Sequence, residues 1–170
     1  RRFLSKGNVT FRQLDISTVL SDAIRIVAPE AQAHGVKLCT RGVVSIPPVM
    51  GEAIQIEQVI LNIVRNAIEA MATDENGRGR TVTISSEYSQ PGLVRVSFND
   101  CGPIAPAIDS EKMFEAFFTT KPKGMGMGLP ISKSIIEAHG GQLLVKTNAP
   151  NPGLTFVIEL PARKRVENAD

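Results

Sequence analysis

The chain has 170 residues, of which 42% are hydrophobic and 21% are charged, and this composition predicts one compact domain with a single core. Its formal net charge of +2 is spread along the sequence apart from a basic tail at 163–165, which argues against a nucleic-acid-binding surface. No apolar run approaches the ~20 residues of a membrane span, so we expect a soluble portion without membrane contact, in a cytoplasmic setting where Cys39 and Cys101 stay reduced.

Two helices are predicted in the first half of the chain. Apolar residues recur every three or four positions over 15–35, and again over 53–72. Between these helices, a strand is predicted at 36–40 and a short extended segment at 45–51. The stripe on the second helix predicts a buried face made of eight residues: Ile56, Val59, Ile60, Ile63, Val64, Ala67, Ile68 and Met71.

The second half of the chain alternates between strand and helix patterns. Segments 81–88 and 93–100 alternate with period two around a short turn and predict a hairpin. A helix is predicted at 129–139, followed by two strands at 141–148 and 154–161. This order predicts an α/β two-layer sandwich, in which about three helices cover one face of a mixed, mostly antiparallel sheet.

The helix at 53–72 also carries a narrow polar face. Gln55, Gln58, Asn62, Asn66 and Glu69 fall within one arc if each residue advances about 100°. One interpretation is an ordinary solvated surface. The other is a metal site, because carboxamide oxygens can bind Mg²⁺ while water and phosphate oxygens complete its coordination.

The predicted strand at 93–100 runs into the sequence NDCG at 99–102. It places Asp100 at the strand end, where a carboxylate can accept a hydrogen bond from an exocyclic amine. Gly102 would allow a flat ring to approach the backbone. A simple turn is the alternative interpretation of the same residues.

A glycine-rich loop lies between the stretch FFTTK and the helix at 129–139. Its backbone amides and the helix N-terminus favour an anion, with positive charge from Lys121 and Lys123 nearby. A mobile linker is the alternative. Neither the dinucleotide fingerprint nor the P-loop spacing fits these glycines. They alternate with two methionines: Gly124, Met125, Gly126, Met127 and Gly128.

Taken in order, five motifs resemble the ATP-binding catalytic domain of bacterial sensor histidine kinases, which has the Bergerat fold. The motifs are QVILNIVRNAIEAM, NDCG, MFEAFF, GMGMGL and GLTFVIELP. The phrase TTKPKGMGMGLPISKSIIEAHGG looks most like the nitrogen-regulation and oxygen-sensing branch. The resemblance covers 15–161, with 1–14 expected to hold the end of a dimerisation helix and a linker, and 162–170 a C-terminal tail.

The resemblance implies ATP and Mg²⁺ as ligands. Asn66 would bind the metal, and Asn62 would support the metal or the phosphates in catalysis. Asp100 would accept from the adenine amine, helped by Thr155 through a water, and Gly102 would lie under the ring.

The resemblance also implies a lid over the triphosphate and two protein partners. The lid would comprise Lys121, as a catalytic cation, and residues 124–129, from Gly124 to Leu129. The partners would be a histidine-containing dimerisation domain and a response regulator receiver domain. The chain departs from the family at Ile104, where a second glycine is usual, and this stiffens the loop beside the base.

Three functions stay open at this point. The first is phosphoryl transfer to a histidine. That histidine is expected on another domain, because His34 and His139 each precede glycine at a predicted helix end and are expected to be structural. The second is ATP hydrolysis, which Asn62 disfavours because an amide cannot act as a general base. The third is a nucleotide-poor interaction module.

Overall fold

The computed structural model describes most of the chain and contains three α-helices in the described part. These are α1 (Ile16–Ala33), α2 (Ala53–Ala72) and α3 (Gly128–Ala138), with one turn of 3-10 helix at Lys112–Phe114. No helix in the described ranges is long and apolar enough to cross a membrane. The described ranges are 10–42, 46–72, 79–89, 92–103, 111–119, 125–149 and 151–163.

Seven strands are described, and five of them form one mixed sheet. Its strand order is β2-β4-β5-β7-β6, in which β2 runs parallel to β4 and every other pair is antiparallel. The remaining two, β1 and β3, form a small antiparallel sheet of their own. The strands are β1 (Arg12–Leu14), β2 (Lys37–Gly42), β3 (Val49–Gly51), β4 (Thr81–Ser89), β5 (Leu93–Asn99), β6 (Gln142–Thr147) and β7 (Leu154–Pro161).

The helices cover one face of the five-stranded sheet, which confirms the predicted two-layer sandwich. Alternate residues of β5, namely Val94, Val96 and Phe98, are buried against the helices, as period-two alternation requires. All eight residues of the predicted apolar stripe on α2 are buried as well.

The opposite face of the sheet carries polar side chains. Arg95 on β5 donates to Glu159 on β7 at 2.7 Å and to Glu87 on β4 at 3.0 Å. These bonds run across three neighbouring strands in register, because Glu87 pairs with Arg95 and Arg95 pairs with Glu159. An ion network of this kind is typical of a sheet face that is open to water.

The small sheet was only partly predicted. The extended segment expected at 45–51 contains β3, but its partner β1 was missed and lies within the segment assigned to the linker. A three-residue strand is too short to show an alternating pattern, and its existence depends on pairing with residues almost forty positions away. Strand β2 also runs two residues beyond the predicted end at 40.

Helices α2 and α3 are antiparallel neighbours, and His139 joins the start of one to the end of the other. The backbone N–H of Glu52 donates to His139 Nε2 at 3.0 Å, while Nδ1 lies 2.7 Å from the carbonyl oxygen of Ile135. The ring stacks on Phe11 with centroids 4.6 Å apart. A Cβ at Gly51 would lie 2.8 Å from this ring, so the site requires glycine there.

Both histidines therefore have the structural positions that the sequence predicted. His34 caps the C-terminus of α1 on the surface, and its Nδ1 lies 2.9 Å from the carbonyl oxygen of Glu30. His139 caps α3 but is only 5% exposed, with both ring nitrogens in hydrogen bonds to the backbone. Both ring nitrogens of His139 are thus engaged, whereas His34 is held at the helix end through Nδ1.

These two caps give a matched pair for a stability measurement. His139→Ala should lower the free energy of unfolding by about 2 to 4 kcal/mol, because it leaves a cavity and an unpaired Glu52 N–H. His34→Ala should cost less than about 1 kcal/mol, since that ring is exposed. Urea unfolding of both variants measures the difference. Equal losses of unfolding free energy would show that the buried network adds no more stability than the exposed cap.

Candidate functional site

Asp100 is the first residue after β5 and points toward the helices. It continues the buried alternation of Val94, Val96 and Phe98, and only 5% of it is exposed. Its Oδ1 accepts hydrogen bonds from the backbone N–H of Gly102 at 2.9 Å and of Leu154 at 3.2 Å. Because both N–H groups bind Oδ1, the carboxylate is held in one orientation and Oδ2 is turned away from these two donors.

Burial raises the pKa of the Asp100 carboxyl, and the hydrogen bonds from Gly102 and Leu154 lower it in part. Desolvation is the larger effect because a charge leaves water, whereas the backbone supplies only two donors. A carboxylate that is buried despite its desolvation cost is typical of a functional site, where its charge binds a ligand.

The turn between β6 and β7 holds the backbone of Asp100, and the sequence did not predict this. Asn148 donates through Nδ2 to the Asp100 carbonyl at 3.0 Å, and the Asp100 N–H donates to the Leu154 carbonyl at 3.0 Å. Gly153 has a φ of +102° and packs directly against the Asp100 carbonyl, so no side chain fits there. The segment TNAPNPG indicates only a turn, and nothing in it identifies its contact.

Asn62 and Asn66 lie one helical turn apart on α2, both half-buried and facing the same cavity as Asp100. Their side-chain oxygens are hard ligands of the kind Mg²⁺ accepts alongside water and phosphate. The described ranges contain no group of three or more His, Cys, Asp or Glu side chains that could hold a metal ion. The donor set therefore fits a cation that arrives with a phosphate ligand.

The end of the glycine loop packs closely on both sides. Gly126 has a φ of +65°, and its carbonyl accepts from the N–H of Phe117, a residue that itself has a φ of +67°. Gly128 opens α3, and a Cβ there would lie 2.5 Å from Asn62 Oδ1. The two glycines thus allow contacts that a side chain would block, whereas Met125 is 81% exposed at the cavity edge.

These elements enclose one cavity of about 410 Å³, which is a size suited to a small-molecule ligand. It brings together the polar face of α2, the end of β5 and the start of α3. Its lining residues are Asn62, Asn66, Ala67, Glu69, Ala70, Asp100, Pro103, Met113, Phe118, Thr119, Met125, Gly126, Met127, Gly128, Leu129, Pro130, Leu154 and Phe156.

Two of the predicted site residues lie behind or beside this cavity. Gly102 sits under Asp100, and a Cβ there would lie 3.2 Å from Oδ1 and 3.3 Å from the Ala70 Cβ. Thr155 projects from the other face of the sheet, where its hydroxyl donates to Asn148 at 2.6 Å and accepts from Asn99 at 2.8 Å. Asn148 links it to the carbonyl of Asp100.

The predicted residues Ile104, Lys121 and Gly124 lie outside the described residues. Among those that are described, the structure brings eight to the cavity wall. These are Asn62, Asn66, Asp100, Met125, Gly126, Met127, Gly128 and Leu129.

Residues 51–164 match the protein family described as histidine kinase-, DNA gyrase B- and HSP90-like ATPases. The match covers well over half of the 170 residues and contains the whole cavity wall. The chain belongs to this ATPase family. The resemblance inferred from the five motifs is thereby confirmed.

Curated relatives of this ATPase-family chain are sensor histidine kinases. It is 38% identical over 160 residues to the C4-dicarboxylate transport sensor protein DctS of Rhodobacter capsulatus, covering 94% of this chain and 24% of DctS. It is 34% identical over 162 residues to the sensor protein FixL of Bradyrhizobium diazoefficiens, covering 95% of this chain and 31% of FixL. The chain therefore spans a third or less of these two relatives.

Solved structures of histidine kinases share the fold. The catalytic domain of ThkA matches with a TM-score of 0.75 and 30% identity, covering 89% of this chain and 97% of that one. ThkA in complex with the response regulator TrrA matches with a TM-score of 0.73 and 30% identity, covering 90% and 42%. Full-length ShkA in complex with AMPPNP matches with a TM-score of 0.78 and 25% identity, covering 92% and 32%.

The apolar part of the cavity wall was not predicted from the sequence. Met113, Leu154 and Phe156 line the cavity opposite α2, beside Asp100. Phe156 belongs to the buried alternation of β7, so its pattern indicates core packing and does not separate core from ligand contact. An apolar wall beside a carboxylate suits a flat heterocycle whose edge carries one donor.

Proposed function

We propose that this chain binds Mg-ATP and donates the γ-phosphate to a histidine on a separate dimerisation domain. The observation that carries the proposal is a single cavity that joins a buried carboxylate at one wall to two half-buried asparagines and the start of a helix at the other. Membership of the ATPase family supports nucleotide binding, and the related kinase ShkA was crystallised with AMPPNP.

The adenine would bind at the Asp100 end. Asp100 Oδ2 accepts from the exocyclic amine of adenine, while Oδ1 stays on the backbone N–H groups of Gly102 and Leu154. Leu154 and Phe156 pack against the ring. Guanine presents a carbonyl oxygen at the position of the amine, so a buried carboxylate disfavours it.

The triphosphate would lie between α2 and the start of α3. The N-terminus of α3 favours negative charge, and Gly128 leaves its first turn open toward Asn62. Asn66, supported by Asn62, would bind Mg²⁺, which when present neutralises phosphate charge. Lys121 and Gly124 are proposed as further lid contacts on the sequence pattern alone.

The phosphoryl acceptor would come from another domain. Neither His34 nor His139 lines the cavity, so neither is placed to attack a γ-phosphate bound there in line. We therefore propose a histidine-containing dimerisation domain as acceptor, and a response regulator receiver domain as the next partner. The complex of the related kinase ThkA with the response regulator TrrA supports the second partner.

Calorimetry with an ATP analogue tests this function directly. Mg-AMPPNP should bind the unmodified chain, and the corresponding GTP analogue should bind at least about tenfold more weakly because guanine carries a carbonyl oxygen at C6, where adenine has its amine. Equal affinity for the two analogues would contradict the adenine assignment. No binding of either would favour the interaction module.

The lid should respond to the same ligand. Amide hydrogen exchange at 125–128 should be fast without nucleotide, because Met125 is exposed and few side chains there reach the core. Binding of AMPPNP and Mg²⁺ should slow exchange there by at least about tenfold. Exchange in α1 serves as the internal reference, and unchanged exchange at 125–128 under saturating ligand would contradict the lid assignment.

A further inference from the structure

Ser132 is a buried polar residue in the middle of α3. Only 3% of it is exposed, although serine is a weaker helix former than alanine and a buried hydroxyl requires a partner. Its Oγ accepts from Nδ2 of Asn62 on α2 at 3.0 Å. This bond joins the helix that carries the two asparagines to the helix that begins at the end of the lid.

The carboxamide of Asn62 is held from two directions. Ser132 takes its Nδ2 end, and the backbone of Gly128 packs close to its Oδ1 end. Asn62 and Gly128 form a wall shared by two cavities, the nucleotide cavity and a second one of about 400 Å³ between α2 and α3. Ser132 lines only the second cavity, so it acts on the nucleotide site through Asn62.

We infer that Ser132 is a positioning residue that directs the Asn62 oxygen toward the metal–phosphate end of the nucleotide. The inference rests on the proposed function. With Nδ2 bound to Ser132, the oxygen lies at the opposite end of the carboxamide, where a cation requires it. Without the hydroxyl, the carboxamide can rotate and present N–H groups, which repel a cation.

The inference predicts that Ser132→Ala loses part of the AMPPNP affinity that Mg²⁺ adds and keeps the affinity measured without Mg²⁺. Mg²⁺ should strengthen AMPPNP binding to the unmodified chain, and this gain should fall about three- to tenfold in Ser132→Ala, the effect of one hydrogen bond. Binding of AMPPNP in EDTA should stay unchanged, because Ser132 itself does not line the nucleotide cavity. Ser132→Thr, which keeps the hydroxyl, should keep the Mg²⁺ gain.

Two controls separate positioning from general damage. Ser134→Ala makes the same change at an exposed position of the same helix and should alter neither titration. In the background Asn62→Ala, adding Ser132→Ala should cost no further affinity.

Calorimetry with and without Mg²⁺ distinguishes the outcomes. If Mg²⁺ strengthens AMPPNP binding to Ser132→Ala as much as to the unmodified chain, the inference is wrong but the proposed function stands. The same holds if Ser132→Ala loses equal affinity with Mg²⁺ and in EDTA, because that loss indicates a purely structural role. Additive losses in the double variant would also overturn it. An unmodified chain that bound no AMPPNP would overturn the proposed function and this inference with it.

Discussion

Asp100→Asn is expected to weaken ATP binding and to stabilise the ligand-free chain. Loss of a charge-assisted acceptor should cost about 1.5 to 3 kcal/mol of binding free energy, which is roughly a 10- to 150-fold rise in Kd. The ligand-free fold should gain stability at neutral pH, because asparagine retains an acceptor for Gly102 and Leu154 without burying a charge. Calorimetry and urea unfolding measure the two effects separately.

The stability effect has a defined pH dependence. Burial raises the pKa of Asp100 in the folded chain, so the unfolded chain releases this proton at a lower pH. The contribution of Asp100 to stability is therefore highest in acid and is lost as pH rises from the unfolded to the folded pKa. The advantage of Asp100→Asn should grow across that window and then stay constant.

Asp22→Asn is the matched control for this substitution. Asp22 lies on the exposed surface of α1, where it pairs with Arg25, and its replacement should change stability by less than about 0.5 kcal/mol and leave ATP binding intact. A destabilised Asp100→Asn variant at neutral pH would show that the two backbone bonds outweigh desolvation. Unchanged ATP affinity would remove Asp100 from the adenine site.

Asn66→Ala is expected to slow phosphoryl transfer severely. With a histidine-containing dimerisation domain supplied separately and radiolabelled ATP, the unmodified chain should label the added domain, slowly because the tether is absent. Asn66→Ala should lower the rate by about 10²- to 10³-fold, the loss typical when one positioned electrostatic contact is removed. Asn151→Ala, in the exposed turn between β6 and β7, is the control and should transfer normally.

The same assay tests the structural role of both histidines. The chain alone should acquire no acid-labile label, since the His139 ring is bound on both nitrogens and the His34 ring caps α1. Label on the isolated chain would contradict that assignment. Labelling of the added domain by Asn66→Ala at the rate of the unmodified chain would show that the metal is held elsewhere.

The main polar residues of the site could be predicted because each occupies a place that local pattern defines. Asn62 and Asn66 stand off the apolar stripe of α2, and Asp100 follows a strand of clear alternation. Helical and strand periods fix which way such side chains point, so their direction toward a common cavity follows from short stretches of sequence. The family motifs then indicate what they bind.

The residues that support this site have no such local signature. Asn148 is an ordinary turn residue by sequence, yet its side chain holds the Asp100 carbonyl from 48 positions away. Ser132 lies within a phrase that resembles the family, but nothing in that phrase indicates its partner, Asn62, which is 70 positions away. A hydrogen bond between residues so distant in sequence depends on how strands and helices pack, and no short-range pattern indicates it.

Periodicity and motif order in the sequence alone determined the helices, the main strands, the two-layer sandwich and the family. The tertiary structure decided where the long-range partners lie: β1 against β3, His139 against Glu52, and Thr155 on the face of the sheet away from the cavity. The first group depends on interactions within about four residues or on one buried face. The second depends on register and helix packing, because a shift of one residue along β7 would turn Thr155 toward the nucleotide cavity and Phe156 away from it.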